Sequence, residues 1–454
     1  MKVLESKIFD AINSVLSLIQ SKTYIIKNNS FLLSNIDFFI LISIAAVYIV
    51  STFCNTAIIG TVSFLVPFLV TLKVFMTKDE KIELEQCNFY LIIYLLICLI
   101  TNFTSFLPVQ SLYGFMKTLI YFAFYFALCQ FLKENRRYII ILLFIIAALI
   151  SIESIIGLIQ NMAGVENIST WQDTSYVNPE DILSRIYGTL KPYNPNLYAG
   201  YLIAGFSSIA AFLAISIKNR QIKIVILAFC CFTAAAAAIL LTGCRGAYLA
   251  LFVILIGIIF ASFQIIFFDI KTEKLKKIWK IIVSCFAACS IGFMYVNHGI
   301  FKRFMSMFLL RGDSSTSFRM NVYHSAFQMF HDNWLCGIGV GNKVFREIYG
   351  LYMLSGFDAL SCYCVFLEMA VESGIFALIV YILFLFSLLS SAVKNFFNSS
   401  DFENKIILFV SFISIAAVMF HGFFDTIYFR PQIQYIFWTM AAIITVLVRE
   451  NRAE

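Results

Sequence analysis

Residues Arg311–Gly374 read RGDSSTSFRMNVYHSAFQMFHDNWLCGIGVGNKVFREIYGLYMLSGFDALSCYCVFLEMAVESG. This is the longest polar interval in the chain, and it separates two strongly apolar halves. Charges, glycines and two histidines, His324 and His331, are gathered in it. On either side, run after run stays apolar for the ~20 residues that a helix needs to cross a bilayer. The 454-residue chain is 61% hydrophobic and 13% charged, with a mean hydropathy of +0.88. So little polar surface cannot clothe a soluble core. The expected fold class is an all-α polytopic membrane protein, with any chemistry facing the polar interval.

Working outward, apolar spans precede the interval at about 37–55, 57–76, 88–107, 113–132, 138–160, 196–216, 222–241, 247–268 and 279–298. Three more follow, at about 372–393, 405–424 and 432–448. That predicts about twelve transmembrane helices, with a large extracytoplasmic loop between the ninth and tenth. Residues 1–36 form a cytoplasmic or interfacial segment, and 37–298 hold the first nine spans with an outer loop at about 161–195. Residues 299–371 make the large loop, where SFRMNVYHSAFQMF has helical spacing. Residues 372–454 supply the last three spans and a tail.

With the N-terminus inside, KDEK, KENRR, KNRQIK, KTEKLKKIWK and the basic tail all fall on one side. The short outer loops are almost free of Lys and Arg, as the positive-inside rule requires. Both termini are therefore expected in the cytoplasm and the protein in the cytoplasmic (inner) membrane. The formal charge of +7 belongs to those loops and speaks for topology, not for nucleic acid. Of the twelve cysteines, most lie inside apolar runs as small hydrophobes. Cys244, Cys336, Cys362 and Cys364 fall near outer loops, where spacing selects no pairing.

Candidate chemistry gathers on the outer side. Arg245, in LTGCRGAYLA, sits at a glycine-flanked corner between two spans. It reads either as a headgroup-reaching arginine or as a phosphate clamp, since guanidinium forks match phosphate oxygens. Arg311 and Arg319 bracket GDSSTSF, and Arg185 comes from the earlier loop. Singly each is an ordinary surface arginine; together they suggest an anionic substrate. Gly337–Asn342, GIGVGN, is either a turn presenting backbone amides or a flexible link. Glu368 and Glu372 share a helix face. His421 and Asp425 recur at the same spacing in HGFFDTIYFRP, as a structural hydrogen bond or an acid–base pair, with Arg430 close behind. The four histidines are scattered and no Cys/His pair has ligand spacing, so neither a metal site nor a cofactor is expected.

These motifs, SRIYGTLKPYNPNLYAGYL, LTGCRGAYLA, SFRMNVYHSAFQMFHDNWLCGIGVGN, ALSCYCVFLEMAVESGI and HGFFDTIYFRP, stand in an order that resembles the O-antigen ligase and polymerase superfamily. Within it they look most like the branch labelled as bicarbonate transporters (inorganic carbon transporter B-like). The resemblance covers about residues 180–440. It implies an inner-membrane glycosyltransferase with a large periplasmic loop. Such a ligase moves a glycan from undecaprenyl diphosphate to an acceptor hydroxyl without a metal. Arg245 and Arg319 correspond to arginines that hold the donor diphosphate, and Asp425 to an acidic residue near the active site. Where ligases carry a His-Asn pair, this chain has Tyr363 and Cys364.

The resulting expectation is a glycan ligase or polymerase. Its partners would be a lipid-linked donor, a glycan or lipid acceptor and membrane lipids. Asp425 and His421 would be catalytic, and Arg245, Arg319 and Arg185 would bind diphosphate. Arg430, Glu372, Asp358 and Tyr363 are secondary candidates. The rival readings are a small-anion (bicarbonate) transporter and a catalytically silent homologue in envelope assembly.

Overall fold

The computed structural model describes residues 2–28, 30–78, 80–82, 85–164, 185–296, 314–354 and 358–453. The first half is built from α1 (Lys2–Asn28), α2 (Phe31–Ser34), α3 (Ile36–Phe53), α4 (Thr56–Met76), α5 (Gln86–Thr104), α6 (Pro108–Glu134) and α7 (Tyr138–Ala163). Next come α8 (Pro195–Lys218), α9 (Ile222–Leu241), α10 (Arg245–Gln264) and α11 (Glu273–Val296). The chain finishes with α12 (Ser314–Asp332), α13 (Asn342–Tyr352), α14 (Val365–Asn398), α15 (Phe402–His421) and α16 (Pro431–Ala453).

Among the described residues, 11 helices are long and apolar enough to cross a membrane, and the chain is an all-α polytopic membrane protein. Helices satisfy every backbone group internally, which is what hydrocarbon demands. The ninth expected span, 279–298, falls on α11 and is not among the 11. That helix opens on Glu273, Lys274, Lys276, Lys277 and Lys280, and residues 297–298 lie outside the described ones. Arg311 and residues 165–184 of the earlier loop also lie outside them.

The bundle is organised around α16, whose residues 431–448 are all buried. Its sequence, IQYIFWTMAAIITVLV, is apolar all round, the mark of a fully enclosed helix. Its few hydroxyls find partners: Thr439 lies 2.6 Å from the Tyr48 hydroxyl, and Thr445 lies 2.9 Å from that of Tyr125.

The polar interval has a small core of its own, including Val322, Met329, Val344, Phe345, Ile348, Tyr349 and Cys362. It is tied to the bundle at a break in α14. Gly374 has φ +80 and interrupts the helix. The freed carbonyls of Val371 and Glu372 accept the amides of Ile338 and Gly339, each at 3.0 Å. GIGVGN is thus neither a free amide nest nor a flexible link, because its donors are spent on the broken helix and on the Ser111 hydroxyl. A Cβ on Gly337 would stand 2.3 Å from the Glu372 carbonyl oxygen, so only glycine closes this seam.

Candidate active site

Four helix ends meet on the face that carries α12. Asn194 caps α8 by accepting the amide of Asn196 at 2.8 Å, with Pro195 opening the first turn. Asn196 is thereby fixed with its side chain pointing across the gap. Its Nδ2 donates to Asp425 Oδ2 at 3.0 Å, and its Oδ1 accepts Arg185 Nη2 at 2.6 Å. Arg185 also donates through Nε to the Thr242 carbonyl at 2.7 Å, at the end of α9.

Asp425 is not on a helix. The α15 span stops at His421, and Asp425 lies in the turn beyond it, its amide donating to the His421 carbonyl at 3.2 Å. Its Oδ1 accepts the amide of Thr426 at 2.8 Å, and Arg319 Nη2 stands 3.7 Å from its Oδ2. An ionised carboxylate offers about four lone-pair sites, so these contacts orient Asp425 without saturating it. Thr426 in turn donates to the Ser361 hydroxyl at 2.6 Å, tying the turn to the loop.

Arg319 comes from α12 and lies over the Tyr363 ring, 5.4 Å from its centroid. Tyr363 has φ +53, a conformation few residues other than glycine adopt, and strain of that kind concentrates at functional sites. The Tyr323 hydroxyl donates to its carbonyl at 3.2 Å. Burial, and then the Asp425 carboxylate, push the Tyr363 phenol up to about 12, with Arg319 pulling the other way. At neutral pH it is a donor and not a base.

His421 is fully buried, and its imidazole does not hydrogen-bond the Asp425 carboxylate. Its Nε2 faces Cys244 Sγ at 3.5 Å, and its Nδ1 has no hydrogen-bond partner among the described residues. Burial pushes the Cys244 thiol up, but the His421 imidazole outweighs this and holds it below the ordinary thiol value. Cys244 is the N-cap of α10, so Arg245, half-buried, opens that helix at the same corner. Gly246 permits the approach, since a Cβ there would lie 2.7 Å from the His421 ring.

The structure therefore gathers Asp425, Arg319, Arg185 and Tyr363 into one cluster, with His421 and Arg245 at its edge. Other candidates fall elsewhere. Asp358 is exposed and pairs with Arg346 at 3.3 Å. Arg430 is exposed, and no ion pair joins it to Asp425. Glu372 is buried behind the glycine seam, and Glu368 beside it accepts the Cys362 amide at 3.0 Å. Cys244, Cys336, Cys362 and Cys364 are free thiols. Sequence reasoning missed Asn196 and Tyr323. The Asn-Pro-Asn helix start was the available signal for the first.

Fold and site together define a polytopic helical membrane protein with an arginine–carboxylate cluster at one end of its bundle. Residues 229–382 match the family model for O-antigen ligase, which supports a place for the chain in the O-antigen ligase superfamily. The match takes in Arg245, Arg319 and Tyr363 and ends before Asp425. It does not extend to the branch labelled as bicarbonate transporters. At family level it supports a membrane glycan ligase or polymerase, whose partners are a lipid-linked glycan and an acceptor. No curated protein matches the chain.

Proposed function

We propose that this protein transfers an oligosaccharide from undecaprenyl diphosphate to an acceptor hydroxyl, at the periplasmic face of the cytoplasmic membrane. The observation that carries the reading is the loose Arg319–Asp425 pair, with Asn196 and Arg185 behind it. A cation for the leaving diphosphate and a carboxylate for the incoming hydroxyl stand side by side, as glycosyl transfer requires.

In this reading the acceptor oxygen bonds to the anomeric carbon as the bond from that carbon to the diphosphate oxygen breaks. The electron pair leaves with the diphosphate, where Arg319, Arg245 and Arg185 stabilise the charge that develops. The acceptor proton passes to Asp425. Tyr363 supports Arg319 by its ring.

A strain lacking the protein should accumulate lipid-linked glycan. Restoring the wild type should clear it, and Arg319→Ala or Arg245→Ala should not. Arg319→Lys should clear it poorly, because an ammonium lacks the guanidinium fork. Saturable bicarbonate uptake by purified protein in liposomes, with glycan unaffected in the strain, would overturn the proposal.

A further inference from the structure

Residues 271–280 read KTEKLKKIWK, five lysines against one carboxylate, Glu273. They follow the span Arg245–Ile270, which starts at the Cys244–His421 corner and is long enough to cross a membrane. The stretch therefore lies a membrane's width from the arginine–carboxylate cluster. Lys271, at φ +59, turns the chain, and α11 runs back along the end of α10. Trp279 fixes that course. Its Nε1 donates to the Ser262 hydroxyl at 2.9 Å, and its ring packs 5.5 Å from that of Phe263 and 5.4 Å from that of Phe267. The first two turns of α11 thus sit beside the end of a membrane-crossing helix, at the depth of the lipid headgroups.

At 3.6 residues per turn, the half-buried Lys276, Trp279 and Val283 form the face turned towards α10 and the π-helical turn Ile265–Ile270 that follows it. On one flank of this face Leu275, Ile278 and Ile282 are exposed. On the other, Lys280, Lys277 and Lys274 step round the helix, all exposed. Lys276 pairs with Glu273 at 2.7 Å, and the nearby Asp269 carboxylate is spent on Lys405 at 2.6 Å. Lys274, Lys277 and Lys280 have no ion pair among the described residues. They also crowd the N-terminal end of the helix, where the macrodipole disfavours cations. An anion from outside the chain would relieve both.

We propose that the first two turns of α11 bind anionic phospholipids of the leaflet opposite the arginine–carboxylate cluster. Their headgroups would lie against Lys274, Lys277 and Lys280, and their acyl chains against Leu275, Ile278 and Ile282. A basic flank beside an apolar one complements a lipid, whose charge and hydrocarbon meet at this depth. A second copy of the chain fits less well, because a two-fold contact would set these lysines against one another. The site stands apart from the transfer reaction and does not depend on it.

Hydrogen exchange of the full chain, one copy per lipid nanodisc, tests this in phosphatidylcholine alone and in equal parts phosphatidylcholine and phosphatidylglycerol. In the wild type, exchange over residues 274–280 should be about tenfold slower with phosphatidylglycerol, since each lysine near an anionic surface contributes about fivefold. Salt at about 1 M, where charges are screened beyond about 3 Å, should remove the difference. A variant carrying Lys274→Gln, Lys277→Gln and Lys280→Gln should exchange alike in the two lipids. One carrying Lys274→Arg, Lys277→Arg and Lys280→Arg should keep the difference. Unchanged protection of α16 establishes that each variant is folded; where it is lost, the salt series on the wild type decides. Equal exchange of the wild type in the two lipids would overturn the proposal. So would a difference that survives in the glutamine variant or in high salt, is lost in the arginine variant, or appears only with two copies in a disc.

Discussion

Arg319 Nη2 stands 3.7 Å from Asp425 Oδ2, beyond the roughly 2.7–2.9 Å of a closed charge-assisted hydrogen bond. Asp425 is held instead by neutral donors, the side chain of Asn196 at 3.0 Å and the amide of Thr426 at 2.8 Å. The guanidinium is steered by the Tyr363 ring beneath it. In the proposed reaction this looseness is useful, because a diphosphate can take up the Arg319 donors without a closed ion pair having to break first.

Asn196 links Arg185 to Asp425, so its loss should be felt in transfer more than in folding. Asn196→Ala removes a hydrogen bond to a carboxylate, a contact whose loss is about 1.5–3 kcal/mol, or on the order of 10- to 100-fold in rate. Turnover by the purified variant should fall by that factor, with membrane abundance unchanged. Turnover equal to wild type would mean that the bridge does not position Asp425.

Tyr363 should act through its ring. Tyr363→Phe keeps the aromatic face under Arg319, and transfer should stay within a few-fold of wild type from about pH 6 to about pH 9, where the phenol is protonated. The alkaline range separates the two proteins. The phenol rises from an ordinary 10.0 to about 12 on folding, so the folded state holds that proton more tightly. Its contribution to stability is present below pH 10 and is lost as pH rises towards about 12. The melting temperature of wild type should therefore fall more steeply over that window than that of Tyr363→Phe. Parallel curves would count against the buried phenol.

The apolar spans were legible in the sequence because a helix in hydrocarbon must announce itself by some 20 unbroken apolar residues. The site was legible in part. Arg185, Arg319 and Asp425 stand out as charges beside lipid, yet nothing in their spacing revealed Asn196 as the joint between them. Helical spacing suggested that His421 and Asp425 stack. Instead the chain leaves the helix at His421, and its imidazole turns to Cys244. Asp358 was drawn to Arg346 by an exposed pairing that sequence distance conceals.

Gly374 breaks α14 so that the glycine seam can dock. At φ +80, with its Cβ position 2.2 Å from the Leu335 carbonyl oxygen, Gly374→Ala adds both strain and collision. Thermal unfolding in detergent should show a loss of about 1–3 kcal/mol or more. An unshifted melting temperature would show that the break can close.

The proposed topology places Trp334 outside and Ser399 in the cytoplasm, following the Lys/Arg asymmetry. Single cysteines at the two positions, in a cysteine-free background, should react with an impermeant maleimide in intact cells at Trp334→Cys alone. Labelling of Ser399→Cys from outside would reverse the orientation and move the arginine cluster to the cytoplasm.

The most direct measurement is release of undecaprenyl diphosphate from its oligosaccharide conjugate by purified wild type and Asp425→Asn, with an acceptor glycan present. Asn keeps the shape of Asp425 and removes its basicity. The wild type should release the carrier as the glycan is transferred. Asp425→Asn should bind the donor equally well and transfer about 10²–10⁴-fold more slowly, the range of general-base catalysis. Transfer by Asp425→Asn at the wild-type rate would contradict the account.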